Sequence, residues 1–322
     1  MTIADRVQSR LDLKTKPRGS LGRLEELAVR IASIVGEENP GRLEAAVVVA
    51  AGDHGVADEG VSAYPQEVTR QMFANFESGG AAVSVLARAA GARVVVVDAG
   101  VGNPTGNIAV GPALTRAEVE ELLARGRADA TKLRAEGVRI VVPGEMGIAN
   151  STVAAALAAA LTGIDPAELC GPGTGLAAEG VAHKVDVVRR ALAANPVDPA
   201  DGGAVLAALG GRELAYLAGL VLGAHDARMV VLVDGFISST AALAATRIDA
   251  GAASSLVAAH RSPEPGHAHV LAALELRPLL ELDLRLGEGS GGALALPLLG
   301  AALAILDEMA TFEDAGVTDA GR

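Results

Sequence analysis

Short β-branched runs punctuate the chain, each closing on glycine or a polar residue. They are Ala46–Ala51 before Gly52-Asp53-His54, Arg93–Val97 before Asp98-Ala99-Gly100, Arg139–Val142 before Gly144-Glu145, Met229–Val233 before Asp234-Gly235, and Ser254–Ala259 before His260. Alanine- and leucine-rich stretches of helical length lie between them, at Ala81–Ala90, Arg116–Glu136, Ser151–Leu161 and Ala204–Leu222. Strand, polar turn and helix repeated in this way predict an α/β core: a three-layer, Rossmann-like parallel sheet with helices on both faces. Ligands bind outside the carboxyl ends of such strands. Asp53, His54, Asp98, Glu145, Asp234 and His260 all fall there.

The two ends read differently. Residues 1–40 and 273–322 are helical in pattern, apart from an ambiguous alternation at Leu280–Leu286. They are expected to pack together as a small helical domain beside an α/β domain, residues 41–272, that carries the ligand site. Pro17, Gly19 and Gly22 break the first segment, and the tail Asp314–Arg322 reads as frayed.

Composition removes whole classes of function. A net charge of −12 leaves no basic stripe to displace phosphate counterions, which argues against a nucleic-acid partner. Aromatic residues make up 2% and tryptophan is absent, so a row of stacking platforms cannot be built. The lone Cys170 excludes an intramolecular disulfide and a cysteine zinc cluster, and fits a reducing, cytoplasmic setting. Charges run through the first nineteen residues where a signal peptide would be apolar. No later segment reads as an uninterrupted apolar span of membrane length.

Candidate chemistry concentrates in glycine-rich segments. Arg285-Leu286-Gly287-Glu288-Gly289-Ser290-Gly291-Gly292 sets one carboxylate amid four glycines directly before an apolar helix. The helix N-terminus favours an anion, and Glu288 stands where it can accept a proton beside it, which points to a nucleotide-handling enzyme. The bland alternative is tight helix packing. Gly287-x-Gly289-x-x-Gly292 also matches a dinucleotide fingerprint, but the strand–helix–strand context is missing. A second cluster, Gly171-Pro172-Gly173-Thr174-Gly175, follows a strand-like segment around Leu169 and precedes Lys184. Backbone amides plus one ammonium suffice for a phosphate monoester, although a plain loop reads the same, and no nucleoside-triphosphate P-loop is present.

Gly144-Glu145-Met146-Gly147-Ile148-Ala149-Asn150-Ser151-Thr152 reads as a strand end and a helix capped by Asn150 or Ser151. Capping leaves Glu145 unexplained, so two acids can line one cleft, one orienting substrate while the other takes a proton. Asp53-His54 with His260, His267 and His269 suggests a metal, but their spacing is non-specific and His267-Ala268-His269 reads as exposed. His183 and His225 read as surface residues. Lys16–Glu25 reads as a helix start with Ser20 as cap. A Ser-His-Asp hydrolase lacks its G-x-S-x-G elbow.

Seven segments in order, KPRGSLGRLEELA, GDHGVADEGVSAYPQEVT, GNIAVGPAL, GEMGIANST, HKVDVVRRA, LVDGFISSTAALAA and RLGEGSGGALALP, together closely resemble the nicotinate-nucleotide:dimethylbenzimidazole phosphoribosyltransferases of cobalamin nucleotide-loop assembly. The resemblance implies a homodimer acting on nicotinate mononucleotide and 5,6-dimethylbenzimidazole, with no cofactor and no metal. It places the catalytic base on Glu288 and a second acid on Glu145. It maps mononucleotide binding to Gly147, Gly173, Lys184, Gly235, Ser262, Leu286 and Gly287, and the benzimidazole pocket to Tyr64, Val68 and Met72. Tyr64 and the HRSPEPGHAH segment depart from the family pattern, which bears on the preferred base and on the histidines.

Overall fold

In a computed structural model, which describes residues 1–318, the five apolar runs build one parallel sheet. Strand β1 spans Glu44–Gly52, β2 Arg93–Gly100, β3 Val138–Met146, β4 Val230–Val233 and β5 Leu256–Ala258. Their order is β2-β1-β3-β4-β5, with every pairing parallel. Parallel neighbours require a crossover, and helices supply it. The chain moves outward from β1 to β2, then returns to lay β3 on the other side of β1. Connections therefore leave β1 and β3 in opposite directions, and a crevice opens between their carboxyl ends. The register Ala50↔Glu145 and Ala51↔Met146 sets Gly52-Asp53-His54 beside Glu145-Met146-Gly147 at that point.

Successive strand residues point to opposite faces, and the core divides accordingly. Ala46, Val48, Ala50, Val141, Val231 and Val233 face a layer that includes the helices Arg116–Ala135, Asn150–Thr162, Gly202–Leu209, Arg212–Asp226 and Phe236–Ile248. Val47, Val49, Ile140, Val142, Val230 and Leu232 face the helices Ile3–Asp12, Arg23–Val35, Ala82–Ala89 and Ser290–Glu308. Helices from the two chain ends thus share one core with the sheet. They are also stitched together: Thr15 N–H donates to the Ala310 carbonyl and Phe312 N–H to the Leu13 carbonyl.

Several local expectations are corrected. The run Ala204–Leu222 is two helices, broken at Gly210-Gly211, where both glycines take extended backbone and a Cβ on Gly211 would overlap the His54 ring and the Glu213 carboxylate. The segment around Leu169 is a turn of helix, Pro166–Leu169, begun by the Asp165 side chain and a proline in the first turn. The Leu280–Leu286 alternation yields only the two-residue strand β7, Leu280–Glu281, parallel to β6, His260–Arg261. Ser20 caps nothing: the helix begins at Arg23 after Gly22, and Glu25 accepts from Leu21 N–H while pairing with Lys16 at 2.8 Å. Asp314 lies in an ordered turn, Phe312–Ala315, closed by a reciprocal Thr311–Asp314 box; residues 319–322 of the tail lie outside the described residues. The helix Ser290–Glu308 does have the length and apolarity of a membrane span, but Ala293, Leu296, Leu299 and Leu303 are buried in the core.

Candidate active site

A cavity of about 530 Å³ opens at the carboxyl ends of the strands. Glu145 and Gly147 line it from the β3 side, Gly173 from the second glycine loop, Gly235 from β4, and Ser262, Leu286 and Gly287 from the later loops; Tyr64 stands at its rim. Lys184, Glu288, Val68 and Met72 do not line it. A larger cavity of about 800 Å³, beside Glu44, Arg93 and Pro297, holds none of the strand-end groups.

Glu145 sits at the end of β3, buried, with one oxygen accepting from the Asn150 side-chain amide. Burial pushes its carboxyl well above the ordinary carboxylate range, and the nearby Asp234 and Glu213 act in the same direction against the Asn150 bond. Gly287 (φ 79°) crosses directly over it, and a Cβ there would overlap Glu145 Oε1. Gly144 is as tightly placed under the Glu288 carbonyl. The expected capping role of Asn150 and Ser151 is therefore corrected. Ala149 begins the helix without a side-chain cap, Asn150 serves Glu145, and Ser151 accepts from Lys184.

Glu288 follows with φ 64°, a left-handed conformation that costs a non-glycine residue about 1 kcal/mol or more. Its carboxylate is buried, and Oε2 has no hydrogen-bond partner among the described residues. Burial raises its pKa; the Val83 amide at the start of the helix Ala82–Ala89 opposes this, and Asp234 adds to it. The anion expected at the next helix N-terminus is internal. Asp234, at the end of β4, accepts from Gly289 N–H at 3.2 Å and Gly292 N–H at 2.8 Å. Cβ atoms on Gly291 and Gly292 would overlap His260 and Val142, so close packing also accounts for these glycines.

The second glycine loop is built differently. Lys184, on the helix Ala178–Ala194, is buried yet donates to Ser151 Oγ at 2.8 Å and to the Gly171 carbonyl at 3.2 Å. Burial lowers its pKa, with Cys170 and Glu264 acting against that. Gly173 (φ 52°) turns its N–H toward Glu264 Oε1 at 3.1 Å. Ser262 is fixed by its backbone N–H, which donates to His267 Nδ1 at 2.9 Å. That bond leaves the His267 proton on Nε2, 3.2 Å from Ser239 Oγ. Burial takes the His267 pKa down to about 4, so the ring is a neutral prop.

The exposed reading of His267 is thus wrong: it is fully buried inside the helix Pro265–Ala273, which its apolar neighbours Val270 and Leu271 turn inward. The other strand-end groups divide. His260 lies 3.5 Å from Asp234 at the cavity, whereas His54 pairs with Glu213 at 2.9 Å behind Gly147. Asp53 and Asp98 hold the loop after β2 through Gly102 and Val101. His183 is exposed and bonds the Glu59 carbonyl, while His225, half-buried, bonds Ser255. Among the described residues no three His, Cys, Asp or Glu side chains converge as a metal site. Asp234, Glu264 and His267 carried no local signal beyond their place after a strand or in the HRSPEPGHAH segment.

A family model described as phosphoribosyltransferase matches residues 1–317. The nicotinate-nucleotide–dimethylbenzimidazole phosphoribosyltransferase of Pseudomonas fluorescens Pf-5 is 50% identical over 98% of this chain and 95% of its own. That of Chloroflexus aggregans is 48% identical over 98% and 94%. The crystal structure of CobT from Thermus thermophilus has a TM-score of 0.93 and 47% identity, over 98% of this chain and 99% of that one. With the match running through every strand end and loop that builds the cavity, the chain belongs to the phosphoribosyltransferase family.

Proposed function

We propose that the protein moves the 5-phosphoribosyl group from nicotinate mononucleotide to 5,6-dimethylbenzimidazole, giving α-ribazole 5′-phosphate and nicotinate, with Glu288 as general base. The relatives' names supply the substrates. The observation that carries the assignment of the base is a buried carboxylate on a left-handed backbone, with one oxygen unpartnered among the described residues, one residue beyond the Leu286-Gly287 wall of the cavity.

In nicotinate mononucleotide the ribosyl carbon is bonded to an already cationic pyridinium, so the leaving base departs neutral and needs no acid. Only the nucleophile needs help. As one benzimidazole nitrogen attacks, the ring becomes positive and the other N–H acidifies; Glu288 takes that proton. Attack opposite the leaving group inverts the anomeric carbon, and carboxylates and carbonyls around the cavity stabilise the positive ribosyl character that develops. The Gly173 amide and Lys184 hold the 5′-phosphate and so fix the reacting carbon. Tyr64, Val68 and Met72 are assigned to the benzimidazole side. A homodimer fits the large apolar side chains Tyr64 and Leu286 exposed at the cavity rim, and a cytoplasmic location fits the single free thiol.

The test is to incubate purified protein with both substrates and identify products by mass and anomeric configuration. α-Ribazole 5′-phosphate and nicotinate are expected; a β-riboside, or ribose 5-phosphate alone, sinks the reading.

A further inference from the structure

Glu264 occupies the place that the proposed phosphate needs. Its Oε1 accepts from Gly173 N–H at 3.1 Å, and its Oε2 packs against Gly171, where a Cβ would overlap it. That Oε2 is buried without a hydrogen-bond partner among the described residues. Lys184 Nζ donates to Ser151 Oγ and to the Gly171 carbonyl. An ammonium has three N–H bonds, and the third finds no acceptor among the described residues. Glu264 itself lines the cavity with Ser151, Gly173 and Thr174.

We propose that Glu264 is an internal stand-in for the substrate phosphate, holding the Gly171–Gly175 loop and facing Lys184 until a phosphate monoester displaces it. The inference rests on the reading of Gly173 and Lys184 as the phosphate cradle. An anion that satisfies both the Gly173 amide and the spare Lys184 donor outcompetes a carboxylate that leaves one oxygen stranded. Displacement costs the same for every entering anion. A mononucleotide recovers it through contacts along its ribose and base, whereas free inorganic phosphate has nothing further to offer. Glu264 therefore sets a threshold that keeps the cradle clear of free phosphate.

Calorimetric titration of the full-length protein with nicotinate mononucleotide, nicotinate riboside and inorganic phosphate tests this. Removing the stand-in raises the fraction of protein with an open cradle, so Glu264→Gln should bind both phosphate ligands about tenfold more tightly. Riboside affinity should stay unchanged. Glu264→Ala, which leaves no amide to form new bonds, should act in the same direction. Unchanged or weaker mononucleotide binding in both variants overturns the proposal, as does an equal shift for the riboside. Lys184→Ala separates the two levels. If it weakens mononucleotide binding about tenfold or more while the Glu264 variants gain nothing, the cradle stands and the stand-in falls; if it leaves that binding untouched, the cradle reading itself is wrong.

Discussion

The two glycine-rich loops have similar composition and opposite construction. In Gly287–Gly292 the glycines are spacers between parts of the protein itself: Gly287 rides over Glu145, Gly291 under the His260 ring and Gly292 against Val142, with Asp234 closing the helix end. In Gly171–Gly175 the chain opens toward a cavity, a Cβ on Gly175 would meet nothing within 4 Å among the described residues, and the amide of Gly173 is held by a carboxylate that also lines the cavity. Glycine content therefore does not by itself signal anion binding. What distinguishes the loops is whether the missing side chain makes room for the protein or for something else.

The sharpest way to break this comparison is at the carboxylate of the packed loop. Glu288→Gln should lower kcat by about 10²–10⁴ while leaving mononucleotide affinity within a few-fold. Steady-state kinetics beside calorimetry decides it, and a variant that loses affinity but keeps turnover refutes the assignment.

Gly291→Ala and Gly173→Ala test the packing side. A methyl on Gly291 meets the His260 ring and should cost about 1–3 kcal/mol of stability. At Gly173 the left-handed backbone should cost about 1 kcal/mol and a methyl overlaps only the tip of the Ser151 side chain, which can turn aside, with the larger change falling on the Michaelis constant for the nucleotide. Denaturant midpoints of the two variants should therefore differ, and a reversed order would undo the contrast.

A smaller effect concerns Glu145. Its folded pKa is raised, so the folded state retains a proton that the unfolded chain has already released, and stability falls as pH climbs from the ordinary carboxylate value toward the raised one. Within that window the loss is about 1.4 kcal/mol per pH unit. Glu145→Gln should flatten this slope, becoming more stable relative to the parent as pH rises; parallel slopes would mean that Glu145 is ionised in the folded protein.

The sheet was legible because its information is local. Five β-branched runs, each ended by a polar turn, require nothing beyond their own residues to be recognised, and all five became strands. The failures share a different cause. Nothing near Gly210-Gly211 announces that His54, far back in the chain, needs that space. Nothing in RLGEGSGG announces that Asp234 closes its helix. Asn150 and Ser151 look like caps until Glu145 and Lys184 claim them. Side-chain partnerships formed across the crevice leave no periodicity, so the polar residues could be gathered at one edge but not paired.

Between the usual carboxylate range and its own elevated pKa, Glu145 is an acid that has kept its hydrogen. Asn150 already serves one of its oxygens. A wall that also carries Glu264 and Asp283 then contains one acid able to give a hydrogen bond as well as receive one. It can greet a sugar hydroxyl in either sense, as an alcohol would, without adding a negative charge to the crevice.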